Sequence, residues 1–452
     1  MKTYLVKYLV AGLGLLALNL QLHAQGFALA STPGVGPGPS SVVAADINGD
    51  GKLDLISANA GVYPDYIGTL TVLTNNGIGF GSNTTLNVSN GPNSVVAADI
   101  NGDGKMDLVC ANTGNGGGNT LSVFTNNGNG GFGFNATYVV GVGPWSVIAV
   151  DVNGDGWVDL VTANYNSSSL TVLTNNGSGF FGFYANCVVG GGPVSVAAAD
   201  INTDGKMDLI SANIAGSLTI LTNNGNGGLG LNATFLLNQH SFPPPAPESV
   251  IATDINNDGK VDLVFADGVA STLTVLTNNG GGSFGSNATY NVGYEPKSVI
   301  AADVNGDGKV DLISANEGNQ TITVLTNNGN GSFGIYTNCA VGFGPVSVVA
   351  VDVNGDGRLD LICANYYDHT LSVLTNAWTF LPKLALKGSS SNVVVSWPSS
   401  WTGWAGWTLQ QNTDLNTTCW TPFSGTIGDD GITKTVTNSS PPGNLFFRLS
   451  HP

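Results

Sequence analysis

An acidic nonapeptide recurs seven times along this chain, and its spacing restricts the possible folds more than any other feature. It reads DINGDGKLD from Asp46, DINGDGKMD from Asp99, DVNGDGWVD from Asp151 and DINTDGKMD from Asp200. The remaining copies are DINNDGKVD from Asp254, DVNGDGKVD from Asp303 and DVNGDGRLD from Asp352. Successive first aspartates lie 53, 52, 49, 54, 49 and 49 residues apart. A period near 50 marks stacked supersecondary units, and about 430 residues beyond the N-terminal segment exceed one ordinary core.

Every unit has the same layout. An apolar run (SVVAADI) leads into the acidic loop, and a second apolar run (DLISAN) leads out of it. A variable loop, a third run (TLTVLTNNG), a Phe-Gly turn (GFG at 79–81) and a last strand (ATYVVGVGP) complete the unit. Four short strands at this period are the blade of a propeller. The first two runs are apolar on both faces, as expected of strands held between neighbouring blades. Fourth strands are expected near residues 84–90, 136–142, 184–190, 233–238, 288–293 and 336–342, which is one too few. The missing copy lies at the front, where FALASTPGVGPGPS at 27–40 ends in the same Gly-Pro turn. The N-terminal strand is therefore expected to complete the seventh blade, closing the ring and removing its exposed edges. The predicted fold class is all-β: a seven-bladed β-propeller over 25–380, with a small β-sandwich-like domain over 383–452.

Gly accounts for 64 of the 452 residues and Lys plus Arg for only 13, a composition suited to short strands and tight turns. The net charge of −17 argues against nucleic acid or an anionic membrane as partner. That charge belongs mostly to one repeated site, since the seven loops hold 21 of the 30 acidic residues. Of the five cysteines, Cys110 and Cys363 occupy equivalent repeat positions, as do Cys187 and Cys339. Equivalent positions in different blades are poor disulfide partners, so these read as small buried filler. Cys419 stands alone in the tail.

The loop itself has the chemistry of a calcium cage. Calcium takes six to eight hard oxygen ligands. In the first loop Asp46, Asn48 and Asp50 alternate, Gly51 permits a sharp turn, the carbonyl of Lys52 supplies the next oxygen, and Asp54 closes the shell. The same five positions are Asp99, Asn101, Asp103, Lys105 and Asp107 in the second loop, and Asp151, Asn153, Asp155, Trp157 and Asp159 in the third. They are Asp200, Asn202, Asp204, Lys206 and Asp208 in the fourth, and Asp254, Asn256, Asp258, Lys260 and Asp262 in the fifth. The sixth has Asp303, Asn305, Asp307, Lys309 and Asp311, and the seventh Asp352, Asn354, Asp356, Arg358 and Asp360. An EF-hand would carry Glu at position 12, where this loop has Ser57, so only the ligand logic is shared. Metal-free Asx turns are the alternative, but they would crowd three carboxylates together seven times with no compensating cation. The position-7 side chain is basic in six copies and is expected to point outward. Up to seven Ca2+ are expected, acting as folding staples between the first and second strands of each blade; magnesium, which demands octahedral geometry, fits less well.

These motifs together resemble the FG-GAP repeat, also called the VCBS-type repeat, of integrin α-subunit propellers and many secreted bacterial proteins. The resemblance covers residues 27–376. It rests on the Asp-x-Asn-x-Asp-Gly-x-x-Asp loop, the Phe-Gly turns (GFG at 79–81, SFG at 283–285 and 332–334) and the Gly-Pro turn before each first strand. It implies an extracellular recognition or adhesion module.

The chain opens with MKTYLVKYLVAGLGLLALNLQLHAQ, a basic start and an apolar run that read as a signal peptide over residues 1–24, with cleavage expected after Ala24. Leu22 departs from the small residue usual at that site, and an uncleaved anchor helix is the alternative, disfavoured by Asn19 and Gln21. The mature chain is expected to be exported, to lack a membrane span and to be monomeric. Connections alternate between the two faces of a propeller, so metal loops and Phe-Gly turns share one face and the variable 2–3 and 4–1 loops share the other. Recognition is expected there, at GVYPDYIG (61–68), Trp145, Tyr165, QHSFPPPAPE (239–248), Tyr294 with Glu295, and YYDH (366–369), with an extracellular carbohydrate or protein as ligand. Catalytic residues are scarce: His240, His369 and His451 are the histidines beyond residue 24, and no nucleophile elbow or His-Glu-x-x-His is present. Asp368 next to His369 is a weak pair. A polysaccharide lyase or hydrolase, and a purely structural surface protein, are the alternatives. The tail holds Trp397, Trp401, Trp404, Trp407 and Trp420, read as core of a small β-domain or, in WTGWAGW, as a sugar-stacking platform.

Overall fold

The computed structural model describes residues 26–377 except 64–65, 226–227 and 238–243, with separate stretches at 8–11, 14–17, 385–388, 392–398, 408–412, 421–423, 425–429, 433–439 and 446–450. Its two compact units are Gly26–Ala377 and the remainder of the chain.

The first unit is a ring of seven four-stranded antiparallel sheets. Blade 1 runs Pro39–Ala45, Asp54–Asn59, Thr69–Asn75 and Phe80–Asn87, and blades 2 to 6 repeat this order. Blade 7 takes Pro345–Val351, Asp360–Asn365 and Thr370–Asn376 from the C-terminal end of the repeats. Its outer strand is Phe27–Ser31, paired antiparallel with Thr370–Asn376. The N-terminal segment therefore closes the ring, and Val35 N–H to His369 O and Leu371 N–H to Pro33 O extend the closure beyond the strand.

The apolar runs become strands because each blade is pressed between two others. Second strands are buried at every residue and third strands at nearly every one. The core divides into seven clusters, one at each blade interface. Across the closure, Val42, Leu55 and Leu73 of blade 1 meet Ile362, Leu371 and Val373 of blade 7. A fully buried Leu, Ile or Val contributes about 1.5–3 kcal/mol, so the closure seam is held by the same kind of apolar packing as the others.

Two expectations need correction. First strands are not covered on both faces: they bury about every third residue and otherwise line a central cavity of about 580 Å³ with side chains such as Val43, Val96, Ile148, Ile300 and Val349. Their continuous hydrophobicity reflects that apolar channel. The Phe-Gly pair is also not a turn, since Phe80, Phe132, Phe181, Phe284 and Phe333 open the fourth strands, which begin several residues earlier than expected. The reversal is made by Asn-Asn-Gly instead. Asn75 Oδ1 accepts Gly77 N–H, Asn76 Oδ1 accepts Ile78 N–H, and Gly77 takes φ +82°, where a side chain would be strained. A register shift between Val72 and Leu73 absorbs the extra length.

In the second unit, Ala385–Gly388, Asn392–Pro398, Gly428–Asp429 and Thr433–Ser439 form one small antiparallel sheet. Thr408–Asn412, Thr421–Pro422 and Phe446–Ser450 form another, and Tyr8–Ala11 pairs with Gly14–Ala17. Ala24, Cys419, His451, Trp401, Trp404, Trp407 and Trp420 lie outside the described residues.

Candidate metal centres

Each acidic loop joins the first and second strands of its blade, and its conformation is written by its own side chains. Asp46 Oδ1 accepts the N–H groups of Gly49 and Asp50, and Oδ2 accepts that of Gly51. Asn48 Oδ1 accepts Asp50 N–H, and Asp50 Oδ1 accepts Lys52 N–H. These nested Asx turns curl the backbone around the acidic groups. The bonds from positions 5 and 6 to the first aspartate recur in all seven loops. Position 4 lies in the left-handed region, and where glycine is replaced Thr203 and Asn257 are held at φ 61° and 59°.

The ninth residue behaves differently from the other two carboxylates. Asp54, Asp107, Asp159, Asp208, Asp262, Asp311 and Asp360 are fully buried. Burial raises the pKa of every one of them, the neighbouring carboxylates of the loop add to the rise, and backbone N–H bonds oppose it. Asp311 is pushed up to about 7 and Asp360 to about 6. Asp50, in contrast, is lowered by the N–H of Lys52 and then by its ammonium group. The basic side chain at position 7 does not point away from the loop as expected. It folds back on the position-5 carboxylate in all six loops that carry one, at 3.0–4.0 Å. In loop 3 Trp157 replaces it and lies over Gly102 of loop 2 and over Gly177.

Among the described residues no three carboxylates, imidazoles or thiols converge on one point. The donor set nevertheless fits a hard divalent cation. Nine residues offer three carboxylates, an amide oxygen and a position-7 carbonyl, and N–H groups alone face the buried aspartate, so a cation there would favour its ionised form.

A residue that reads as ordinary turn chemistry proves central to the site. The last asparagine of each third strand donates its backbone N–H to the buried aspartate of its own loop at 2.7–2.9 Å. Its Nδ2 donates to the position-2 carbonyl of the preceding blade's loop at 2.6–2.8 Å. The position-2 N–H in turn donates to its own buried aspartate at 3.0–3.3 Å. Asn75, Asn126, Asn175, Asn223, Asn278, Asn327 and Asn376 thus link the seven loops into one closed hydrogen-bonded ring, completed by Asn75 to Val353 O. The signal for it was present in the sequence as one polar residue ending seven apolar strands.

The opposite face carries the remaining chemistry. Between residues 26 and 377, Lys297 is the sole Lys or Arg outside the loops. Its ammonium group sits 2.8 Å from Glu248 and 3.6 Å from Glu317. Burial alone would lower its pKa, but Glu248 and then Glu317 outweigh that and raise it. Tyr367 Oη donates to Glu317, and its ring lies 4.8 Å from that of Phe343, both half exposed. Tyr294 is exposed and packed over Gly318, the residue after Glu317. Trp145 and Tyr165 form a second aromatic pair at 5.4 Å. The Asp368–His369 pair is not a catalytic dyad: Asp368 Oδ2 accepts Phe343 N–H while His369 Nδ1 accepts Gly38 N–H. Asp65 and His240 lie outside the described residues. The cysteines Cys110, Cys187, Cys339 and Cys363 are free thiols.

Comparison with solved structures finds the same architecture at low identity. BBS1N, from its complex with ARL6DN, is 14% identical with a TM-score of 0.57, covering 77% of this chain and 96% of its own. A putative 6-phosphogluconolactonase from Bacteroides uniformis is 16% identical with a TM-score of 0.54, covering 70% of this chain and 89% of its own. The periplasmic gluconolactonase of Pseudomonas aeruginosa is 17% identical with a TM-score of 0.53, covering 70% and 88%. These likenesses concern the fold alone. No curated protein matches the chain. The FG-GAP-like repeat model matches residues 46–110, 99–162, 151–211, 200–265, 254–314 and 303–363, a continuous span of well over half the sequence. The chain belongs to the FG-GAP-like repeat family.

Proposed function

We propose that this protein is an exported, calcium-stabilised propeller that recognises an extracellular carbohydrate through the face opposite its metal loops. One observation carries this reading. The charged residues of the propeller outside the metal loops all fall in its 2–3 and 4–1 connections or beside them, and around Lys297 they meet the exposed rings of Tyr294, Phe343 and Tyr367. Aromatic faces next to carboxylates and an ammonium group offer a sugar both apolar contact for its C–H side and hydrogen-bond partners for its hydroxyls. The surplus of carboxylates over that single ammonium favours a neutral glycan over a polyanion. Calcium, on this reading, supplies charge compensation for the buried aspartates; the Asp, Asn and position-7 carbonyl oxygens of each loop hold it.

The test is glycan-array binding by the purified protein, followed by Tyr367→Ala and Phe343→Ala. Loss of one stacking face should weaken binding about tenfold, the equivalent of 1.4 kcal/mol. Binding unchanged in both variants would remove this face from the reading, and product release from a polysaccharide panel would make the protein an enzyme.

A further inference from the structure

The seven metal loops are not independent. Loop 3 and loop 4 show the linkage. Asn223 of blade 4 donates its N–H to Asp208, the buried aspartate of loop 4, and its Nδ2 to Val152 O in loop 3. The Val152 peptide donates its own N–H to Asp159, the buried aspartate of loop 3. One peptide and one asparagine thus connect two buried carboxylates in adjacent blades, and Asn223 is 3% exposed. Water is excluded from the link, and in such surroundings each hydrogen bond polarises the next.

We infer that cation binding is positively cooperative around the ring, with the third-strand asparagines transmitting occupancy from each loop to its neighbours. The inference rests on the calcium reading above. A cation held in loop 4 compensates the charge of Asp208 without displacing the Asn223 N–H that donates to it. The same cation fixes the ninth residue and the turn that holds Asn223 in place. Fixing Asn223 orients its Nδ2 on Val152 O, which pre-orders the position-2 peptide of loop 3 before any ion arrives. The second ion then meets a loop whose ordering has already occurred, which is positive coupling without a change of fold. Because Asn75 joins blade 1 to Val353 of loop 7, the coupling has no end, and the ring loads over a narrow range of calcium concentration.

Loop 3 contains its own reporter. Trp157 occupies position 7 there and covers Gly102 of loop 2, so its fluorescence follows loop 3; Trp157→Lys, the residue of other loops, identifies the signal. Calcium titration of the full chain should give a Hill coefficient above 1 by calorimetry. Asp204→Ala, an exposed change confined to loop 4, should move the Trp157 midpoint about fivefold to higher calcium, the low end of ordinary coupling. In an Asn223→Ala background, which keeps the N–H to Asp208 but removes the bond to Val152 O, Asp204→Ala should no longer move it. A Hill coefficient of 1 with no shift from Asp204→Ala overturns the coupling and leaves calcium binding intact. A shift that persists in Asn223→Ala overturns the asparagine as its carrier. Near-zero bound calcium in the unaltered protein overturns the calcium reading itself.

Discussion

Replacing Cys363 by serine should stabilise this protein. In blades 1, 3, 4 and 6 a hydroxyl on the second strand donates to the asparagine two residues on: Ser57 to Asn59, Thr162 to Asn164, Ser211 to Asn213 and Ser314 to Asn316, at 2.6–3.0 Å. In blades 2 and 7 the donor position is Cys110 or Cys363, and the buried Oδ1 atoms of Asn112 and Asn365 have no partner among the described residues. The thiols instead lie 3.9 and 3.8 Å from the carbonyls of Ala111 and Ala364. Blade 5 escapes the problem differently, since Phe265 brings no donor and Asp267 turns its carboxylate to the N–H groups of Ala246, Val269 and Ala270. A buried acceptor left alone costs about 1–3 kcal/mol. The smaller oxygen leaves a gap worth about 0.5 kcal/mol. Cys363→Ser should therefore gain about 1 kcal/mol, and with an unfolding entropy near 2 cal/mol/K per residue over about 350 residues that raises Tm by about 1–2 °C. Cys110→Ser, two blades away, should add a similar increment, and Ser314→Cys should lower Tm by about as much. Scanning calorimetry in saturating calcium measures all three. A lower or unchanged Tm for Cys363→Ser, together with a neutral Ser314→Cys, would show that these orphan acceptors have no energetic weight.

Chelation should lower Tm markedly, and in EDTA the protein should lose stability as pH rises. Burial raises the ninth-position aspartates above their ordinary 3.8, so the folded chain keeps protons that the unfolded chain releases. That stability is complete below the unfolded value and is lost as pH rises through the folded ones, about 6 for Asp360 and about 7 for Asp311. Among the described residues Asp50 is the carboxyl shifted the other way. Saturating calcium should flatten this slope, and an apo Tm that climbs from about pH 4 to 7 contradicts it. Deleting residues 27–36 should strip the outer strand from Thr370–Asn376 and expose that edge, giving broad unfolding or aggregation; an unchanged melt and a monomeric elution profile refute closure by that strand. Thr203→Gly should relieve a left-handed threonine at φ 61° and, after glycine's entropic cost, raise stability by about 0.5–1 kcal/mol in urea melts; an unchanged midpoint refutes the strain.

The parts of this molecule legible in the sequence are those set by local chemistry repeated at a fixed period. The acidic loops, the count of blades and the role of residues 27–31 follow from spacing, because a ring needs as many fourth strands as loops. What sequence did not reveal depends on residues brought together across blade boundaries. Asn75 at the end of TLTVLTN has the appearance of a turn former, and its bond to Val353 O spans almost the whole repeat region. Lys52 reads as a solvent-facing charge, and only the curl of the loop returns it to Asp50. The Ser57–Asn59 pair shares one face of a strand at a spacing of two, which reveals proximity but not which partner is missing in blades 2 and 7.

The ring of asparagines also explains why the two faces of the propeller differ so much in sequence. On the face of the acidic loops each loop holds a carbonyl for the next blade's asparagine and a carboxylate for its own, so a change in one blade disturbs two. Position 9 is Asp and the third-strand terminus is Asn in every blade, whereas the hydroxyl position, whose bond stays within one blade, admits Ser, Thr, Cys and Phe. On the other face a 2–3 loop such as Tyr366–His369 is held to the preceding connection by backbone bonds, Tyr366 N–H to Gly344 O and Tyr367 N–H to Phe343 O, which specify no side chain, and its rings pack over glycines, Tyr366 over Gly38 and Tyr367 over Gly344. Such contacts accept Ile214 over Gly192 in one blade and Tyr294 over Gly318 in another while the backbone bonds recur, Ile214 N–H to Gly192 O and Gly318 N–H to Tyr294 O. A cyclic hydrogen-bond chain therefore holds one face uniform, and the face outside that chain is free to carry the single Lys297, its carboxylates and the exposed rings of Tyr294, Phe343 and Tyr367.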